Sequence, residues 1–281
     1  MVFRNSALPC LLGGAALAAV AASAASAAED TGWSAPDFST SVVSWEGPNG
    51  REFLPVDGSP PAVTTDPAHP YINNAISRVT GEQPTFHISD LTNPNLMQWA
   101  KDIMQQDNEE VLAGKIAYMP SMACKHWGIP AVMQSGGPFL FYQTRDEVLI
   151  VEEGERLMRH IYLNVPHSEN PKPSYYGESV GHYEGDTLVV DTIGFNTETY
   201  IDFFRTPHTE RMHVTERWRL IDDGEGIEVL FTVDDPGTFY KPWQVMRRLE
   251  RSDTILGENI CRENNFRVFD YGIPIDETPD F

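Results

Sequence analysis

Residues 175–193 read YYGESVGHYEGDTLVVDTI, and this stretch decides the fold. Its second part, Thr187 to Ile193, is rich in β-branched and apolar residues and is too short for a helix of ordinary length. Its first part alternates. Tyr176, Glu178, Val180, His182 and Glu184 fall on one face of a strand, and Tyr175, Gly177, Ser179, Gly181 and Tyr183 on the other. Between the two parts lies Glu184-Gly185-Asp186, a turn signal. The stretch is a β-hairpin. One of its faces carries a row of acid–base groups, and the other is small enough in its middle for a backbone or ligand to come close.

The same pattern extends in both directions. Strands are expected at 139–144, 147–151, 156–163, 213–220, 226–233, 243–249 and 254–262, with Asp222-Asp223-Gly224, Asp235-Pro236-Gly237 and Ser252-Asp253 as turns. Short connections predict a mainly β fold, an antiparallel barrel (calycin-like) or a sandwich, with an irregular N-terminal arm and one or two helices. One helix is readable. Thr92 or Asn93 caps it, Pro94 sits near its first turn, Leu96, Ala100, Ile103 and Met104 follow helical spacing, and Gly114 stops it. Upstream, Pro and Gly punctuate residues 29–90. Trp33, Phe38, Trp45, Phe53, Tyr71 and Phe86 are spaced along them as aromatics expected to plug onto a core formed later.

Residues 1–28 have the pattern of a cleavable signal peptide: Arg4, a short Ala- and Leu-rich run, then small residues up to Ala28. The expected organisation is a signal at 1–28, an arm plus helix at 29–114, and a β domain at 115–281. The expected location is periplasmic or secreted. The chain carries 20 basic against 41 acidic residues, a net charge of −21. Such an excess of carboxylates repels phosphate backbones, so no nucleic-acid partner is expected. Nor is a membrane partner expected once the signal is removed. After that removal Cys124 and Cys261 are the only cysteines, and an oxidising compartment favours a disulfide between them.

Three constellations carry titratable groups. The first is the row containing Tyr176, Glu178 and His182. The second is Pro207 to Arg217, with His208, His213 and Glu216. His213 and Glu216 are three apart, so on a regular strand they face opposite ways, which argues against a metal site. The third is Arg159-His160-Ile161-Tyr162, with His160 and Tyr162 on one face and Arg159 on the other. Arg159 could hold a substrate carboxylate, or form a buried salt bridge to Glu216 or Asp191. No nucleophile elbow, phosphate loop or nucleotide, flavin or haem motif is present in the sequence, so no cofactor or metal is expected.

The stretch from Cys124 to Asn265 resembles a family of secreted, mostly uncharacterised bacterial proteins. The resemblance rests on 177–192 (GESVGHYEGDTLVVDT), Gly194-Phe195-Asn196, Asp202, Pro207-His208, 213–217 (HVTER), 234–236 (DDP), 241–243 (KPW) and 261–265 (CRENN). Tyr183 stands where Trp is usual. Asn164-Val165-Pro166-His167 replaces an Asp-Gly-Arg turn. The resemblance implies an exported β-rich protein with both cysteines at family positions. Proteins of this kind are frequent in bacteria that degrade plant polymers and aromatic compounds.

Two functions fit these residues. One is a cofactor-independent enzyme for a small, aromatic substrate, most simply a lyase that breaks carbon–carbon or carbon–oxygen bonds, with a hydrolase as second choice. His208, His213, His182, Tyr176 and Glu216 would be its catalytic groups, and Arg159, Tyr162, Glu178, Asp202 and Trp243 would bind substrate. The other is a lipocalin-like small-molecule binding protein. If the first holds, His182, His208, His213 and Tyr176 should converge on one cavity. The oligomeric state is not legible in the sequence.

Overall fold

The computed structural model describes residues 35–39, 44–47 and 53–258. The expected signal peptide and Cys261 lie outside the described residues. Ten strands follow in chain order: β1 (Ser44–Glu46), β2 (Leu54–Pro55), β3 (Phe139–Gln143), β4 (Glu147–Glu152), β5 (Leu157–Leu163), β6 (Glu178–Glu184), β7 (Thr187–Ile193), β8 (His213–Ile221), β9 (Gly226–Asp234) and β10 (Trp243–Ser252). Two α-helices precede β3: α1 (Asn74–Thr80) and α2 (Gln98–Leu112). Nine of the strands close into a barrel in the order β1, β3 to β10, back to β1, while β2 adds to β10 from outside. The fold is mainly β and a barrel, not a sandwich.

The eight strands from β3 to β10 lie where alternation placed them, and β5 shows why. Its residues are buried and exposed strictly in turn, with Leu157, Arg159, Ile161 and Leu163 inward. The β6–β7 hairpin pairs Glu184 with Thr187 across Gly185-Asp186. Gly185 has φ +61°, the conformation that primed hairpin turns require and glycine accepts. Thr254 to Glu258, expected as part of a ninth strand, is irregular, and the rest of that segment lies outside the described residues.

Two features differ from the expectation. The sheet is mixed, because β5 and β6 pair in parallel, Ile161 opposite Ser179 and Leu163 opposite Gly181. A parallel step needs a long crossover, and residues 164–177 supply it. The arm also does more than cover a finished core. Its β1 pairs with both β10 and β3 and so closes the barrel.

The interior is filled. Phe38, Phe141, Trp218, Phe231 and Phe53 form a run of ring contacts at 5.5–6.2 Å, and Trp45 is fully buried, its indole N–H donating to the Phe38 carbonyl at 3.1 Å. Three arm aromatics thus plug the core as expected, but Tyr71 and Phe86 do not. Trp243, expected to bind substrate, is 1% exposed and packs on Phe239 inside this core.

α2 begins later than the Thr92-Asn93 caps suggest. Asn93 instead accepts from Asn95 N–H and donates to the Pro61 and Ala62 carbonyls, tying a turn to the arm. The buried face of α2 is Ala100, Met104 and Asn108, while Ile103 is exposed. Among the described residues no helix is long and apolar enough to cross a membrane.

One polar group crosses the apolar interior. Arg159 on β5 donates to Ser179 Oγ on β6 (3.1 Å), Thr192 Oγ1 on β7 (2.9 Å) and Glu216 Oε2 on β8 (2.9 Å). The same Glu216 oxygen accepts from the Trp218 indole at 2.8 Å. Both charged side chains are almost fully buried. Neither is free to act as the substrate anchor or catalytic carboxylate expected of it: together they form the salt bridge that was the other reading of Arg159. Removing one partner leaves an uncompensated buried charge, which typically costs about 3–5 kcal/mol. Arg159→Met should therefore lower the unfolding free energy in urea by about that amount. An Arg159→Met/Glu216→Leu double variant should lose less than the sum of the two single losses. Additive losses would show that the pair is not coupled.

Candidate functional site

The residues expected to act do not meet in one cavity. His208 is buried, with Nε2 at 2.7 Å from Thr199 Oγ1 and Nδ1 at 3.1 Å from the Thr209 carbonyl. That carbonyl fixes the proton on Nδ1, and burial pushes the pKa down, so the ring is a neutral packing element. His182 is exposed and pairs with Glu184, at 3.2 Å. Tyr176 places its hydroxyl 2.7 Å from His126 Nδ1, and burial raises its pKa far above the ordinary tyrosine value. Asp202 is buried. Its Oδ1 accepts from the Phe204 and Thr206 N–H groups and from the Thr206 hydroxyl, and burial lifts its pKa to about 6 against these bonds. Its bonds shape the turn from Asp202 to Thr206.

A different set of acid–base groups does meet, on the outer wall. His167 lies between two carboxylates, with Nδ1 at 3.0 Å from Glu178 Oε1 and Nε2 at 2.7 Å from Asp191 Oδ1. Asp191 Oδ2 is in turn 2.6 Å from His213 Nε2. Ser168 caps the far end, donating its N–H and hydroxyl to Glu178, each at 2.7 Å. His213 does face away from Glu216, as the spacing required. The two imidazoles approach different oxygens of Asp191, which is a hydrogen-bond ladder and not a set of converging lone pairs. Among the described residues no group of three or more His, Cys, Asp or Glu is placed to hold a metal. His167 is the hub of this ladder. Sequence reading missed it because it sits in an irregular crossover.

Beside the ladder, the barrel wall parts. Below their short parallel pairing β5 and β6 diverge, leaving an open cleft of about 560 Å³. Arg159, Tyr162, Tyr176 and Glu178 line it, together with His160 and Lys172. Four expected residues thus share one cleft, although Arg159 and Glu178 already have their partners within the protein.

A second, more enclosed cavity of about 430 Å³ is walled by aromatics and contains none of the expected site residues. Tyr71, Phe86 and His87 come from the arm, Trp127 from the loop before β3, and Phe203 and Arg205 from the loop before β8. The arm reaches this position as an excursion closed at its base by the Thr65–Ser89 bridge. Asn108 on α2 holds that base, accepting from Ser89 N–H and donating to the Ser89 carbonyl. Across the excursion Ile72 N–H donates to Thr85 Oγ1 at 2.8 Å, and Thr85 N–H to the Ile72 carbonyl at 3.0 Å. Tyr71 stacks on His87 with centroids 3.7 Å apart, and Trp127 meets Phe203 at 4.6 Å. The Asp202 turn sets Arg205 in the left-handed region (φ +61°), and the Arg205 side chain forms part of the cavity wall. The isolated arm aromatics Tyr71 and Phe86 were the sequence signal for this cavity.

The chain matches no family model, no curated protein and no solved structure.

The ladder makes a pH prediction. Hydrogen bonding to Asp191 raises the His213 pKa above 6.5, and that same contact, chiefly, lowers the Asp191 pKa below 3.8. The raised histidine contributes stability that is full below pH 6.5 and lost as pH rises through its folded pKa. The lowered aspartate contributes stability present above pH 3.8 and lost as pH falls through its folded pKa. The pair is strongest between those limits. An imidazole NMR titration should find His213 above the ordinary histidine value, and Asp191→Asn should bring it down. An unshifted His213 in the unmodified protein would contradict the ladder.

Proposed function

We propose that the protein binds a small aromatic molecule in the cavity between the arm and the barrel loops. The enclosed aromatic cavity carries this reading. Its volume of about 430 Å³ falls within the range of small-molecule sites, and four aromatic side chains from three separate segments wall it. The barrel interior is packed with side chains, which favours a site on the flank over a lipocalin-like calyx.

A second reading, the acid–base lyase, is supported by the His167–Asp191–His213 ladder. The ladder ends on Glu178, in the cleft where β5 and β6 part. Export and the Cys124–Cys261 bridge belong to either reading, as does membership of the secreted family. Cys124 is engaged and is no free thiol, which supports the bridge.

Calorimetric titration with cinnamate should show saturable one-to-one binding. Phe86→Ala removes a partly exposed wall of the cavity and should weaken binding about tenfold. Absence of binding, or affinity unchanged in Phe86→Ala, would remove this reading. For the lyase, His213→Ala should abolish conversion of an aromatic substrate, and Phe86→Ala, which lies outside the cleft, should leave both kcat and KM unchanged. Turnover that survives in His213→Ala would end the second reading.

A further inference from the structure

Three arginines are buried among the described residues, Arg159, Arg205 and Arg247. Arg247 donates to the Met133 carbonyl at 3.1 Å, and the surroundings of Arg159 and Arg205 differ. Arg159 spends its guanidinium on three hydrogen bonds of 2.9–3.1 Å. Arg205 is as deeply buried, with a side chain 4% exposed. Its Nη2 donates to the His87 carbonyl at 3.3 Å, a long bond. Its Nε–H makes no hydrogen bond. Asp107 forms an ion pair with Arg205 at 3.7 Å from Nε, beyond hydrogen-bonding distance. Leaving a buried charged donor unsatisfied is costly, and proteins seldom do so without a use for it. The Arg205 side chain belongs to the wall of the aromatic cavity.

We infer that Arg205 is the anchor for an acidic group on the ligand, so that the cavity selects small aromatic carboxylates over their neutral counterparts. The inference rests on the binding reading above and names the substrate class of that same site. Aromatic faces from Tyr71, Phe86, Trp127 and Phe203 supply the apolar contact, and they discriminate little between one ring and another. A guanidinium discriminates by charge and geometry, because its fork matches a carboxylate. The chain as a whole is strongly acidic and repels anions, so the preference must arise locally. Glu155 also lines the cavity and disfavours an anion beside it, so the acid has to be one that reaches Arg205. Asp202 acts as a positioning residue here. It accepts from Phe204 and Thr206, and its carbonyl accepts from Arg205 N–H at 3.2 Å, which holds the turn that presents the guanidinium.

The experiment compares cinnamate with cinnamyl alcohol by calorimetry, on the full chain and on an Arg205→Gln variant. Circular dichroism and thermal melting confirm that the variant is folded. Cinnamate should bind the unmodified protein about tenfold or more tightly than the alcohol, and Arg205→Gln should erase that preference while the alcohol still binds. Equal affinity for acid and alcohol in the unmodified protein overturns the anchor and leaves the aromatic site standing. A preference that persists in Arg205→Gln overturns it as well. If neither compound binds, the site itself fails and the anchor with it. The comparison on the unmodified protein decides the matter even if Arg205→Gln does not fold.

Discussion

The buried Arg159–Glu216 pair is the constraint on which the rest of the molecule depends. Through it β5, β6, β7 and β8 share one guanidinium, with Ser179 and Thr192 as its other acceptors. This set spans the parallel step between β5 and β6, where pairing covers only three residues of each strand. A slip of one residue would turn Arg159 outward and Glu216's partner into solvent, so the pair admits a single register. It also helps fill the barrel. Trp45, Trp218, Phe141 and Phe231 are packed in the same interior, so among the described residues the barrel is filled with side chains. On the proposed binding reading the site then falls on the flanks, at the parting of β5 and β6 or under the arm.

The arm answers to the same geometry. One part of it, β1, closes the barrel, and Phe38 enters the core with Trp45. Farther on, the excursion between Thr65 and Ser89 meets the Arg205 loop through His87, and with that loop and Trp127 it walls a cavity. Cavities of about 430 and 460 Å³ lie along it, and Ile72, Pro84, Thr85 and Phe86 line both. The contrast between Arg159 and Arg205 sharpens the point. One is satisfied by the protein and holds the fold, while the other has donor capacity that the protein does not use.

Much of the barrel was legible because alternation is local. The β6–β7 hairpin and the inward Arg159 on β5 follow from a period of two and a glycine turn. The parallel step was not legible, since nothing in 164–177 marks a crossover. Closure by β1 was also hidden, because three residues of an irregular arm carry no periodicity. For the site the limit was different. Face assignments were correct for His213, Glu216, His160 and Tyr162, yet a shared face does not bring residues from separate strands together. Glu178 and Asp191 meet His167 only because the crossover returns over them. Likewise Tyr71 and Arg205, far apart in sequence, line one cavity through the Asp202 turn and the Asn108 anchor.

Chemical-shift mapping distinguishes the two flanks most directly. Adding cinnamate to isotopically labelled protein should move the resonances of Tyr71, Phe86, His87, Trp127, Phe203 and Arg205 in a saturable way, and leave those of Met158, Tyr162 and Glu178 in place. Shifts centred on the parting of β5 and β6, with the arm cavity silent, would contradict the account.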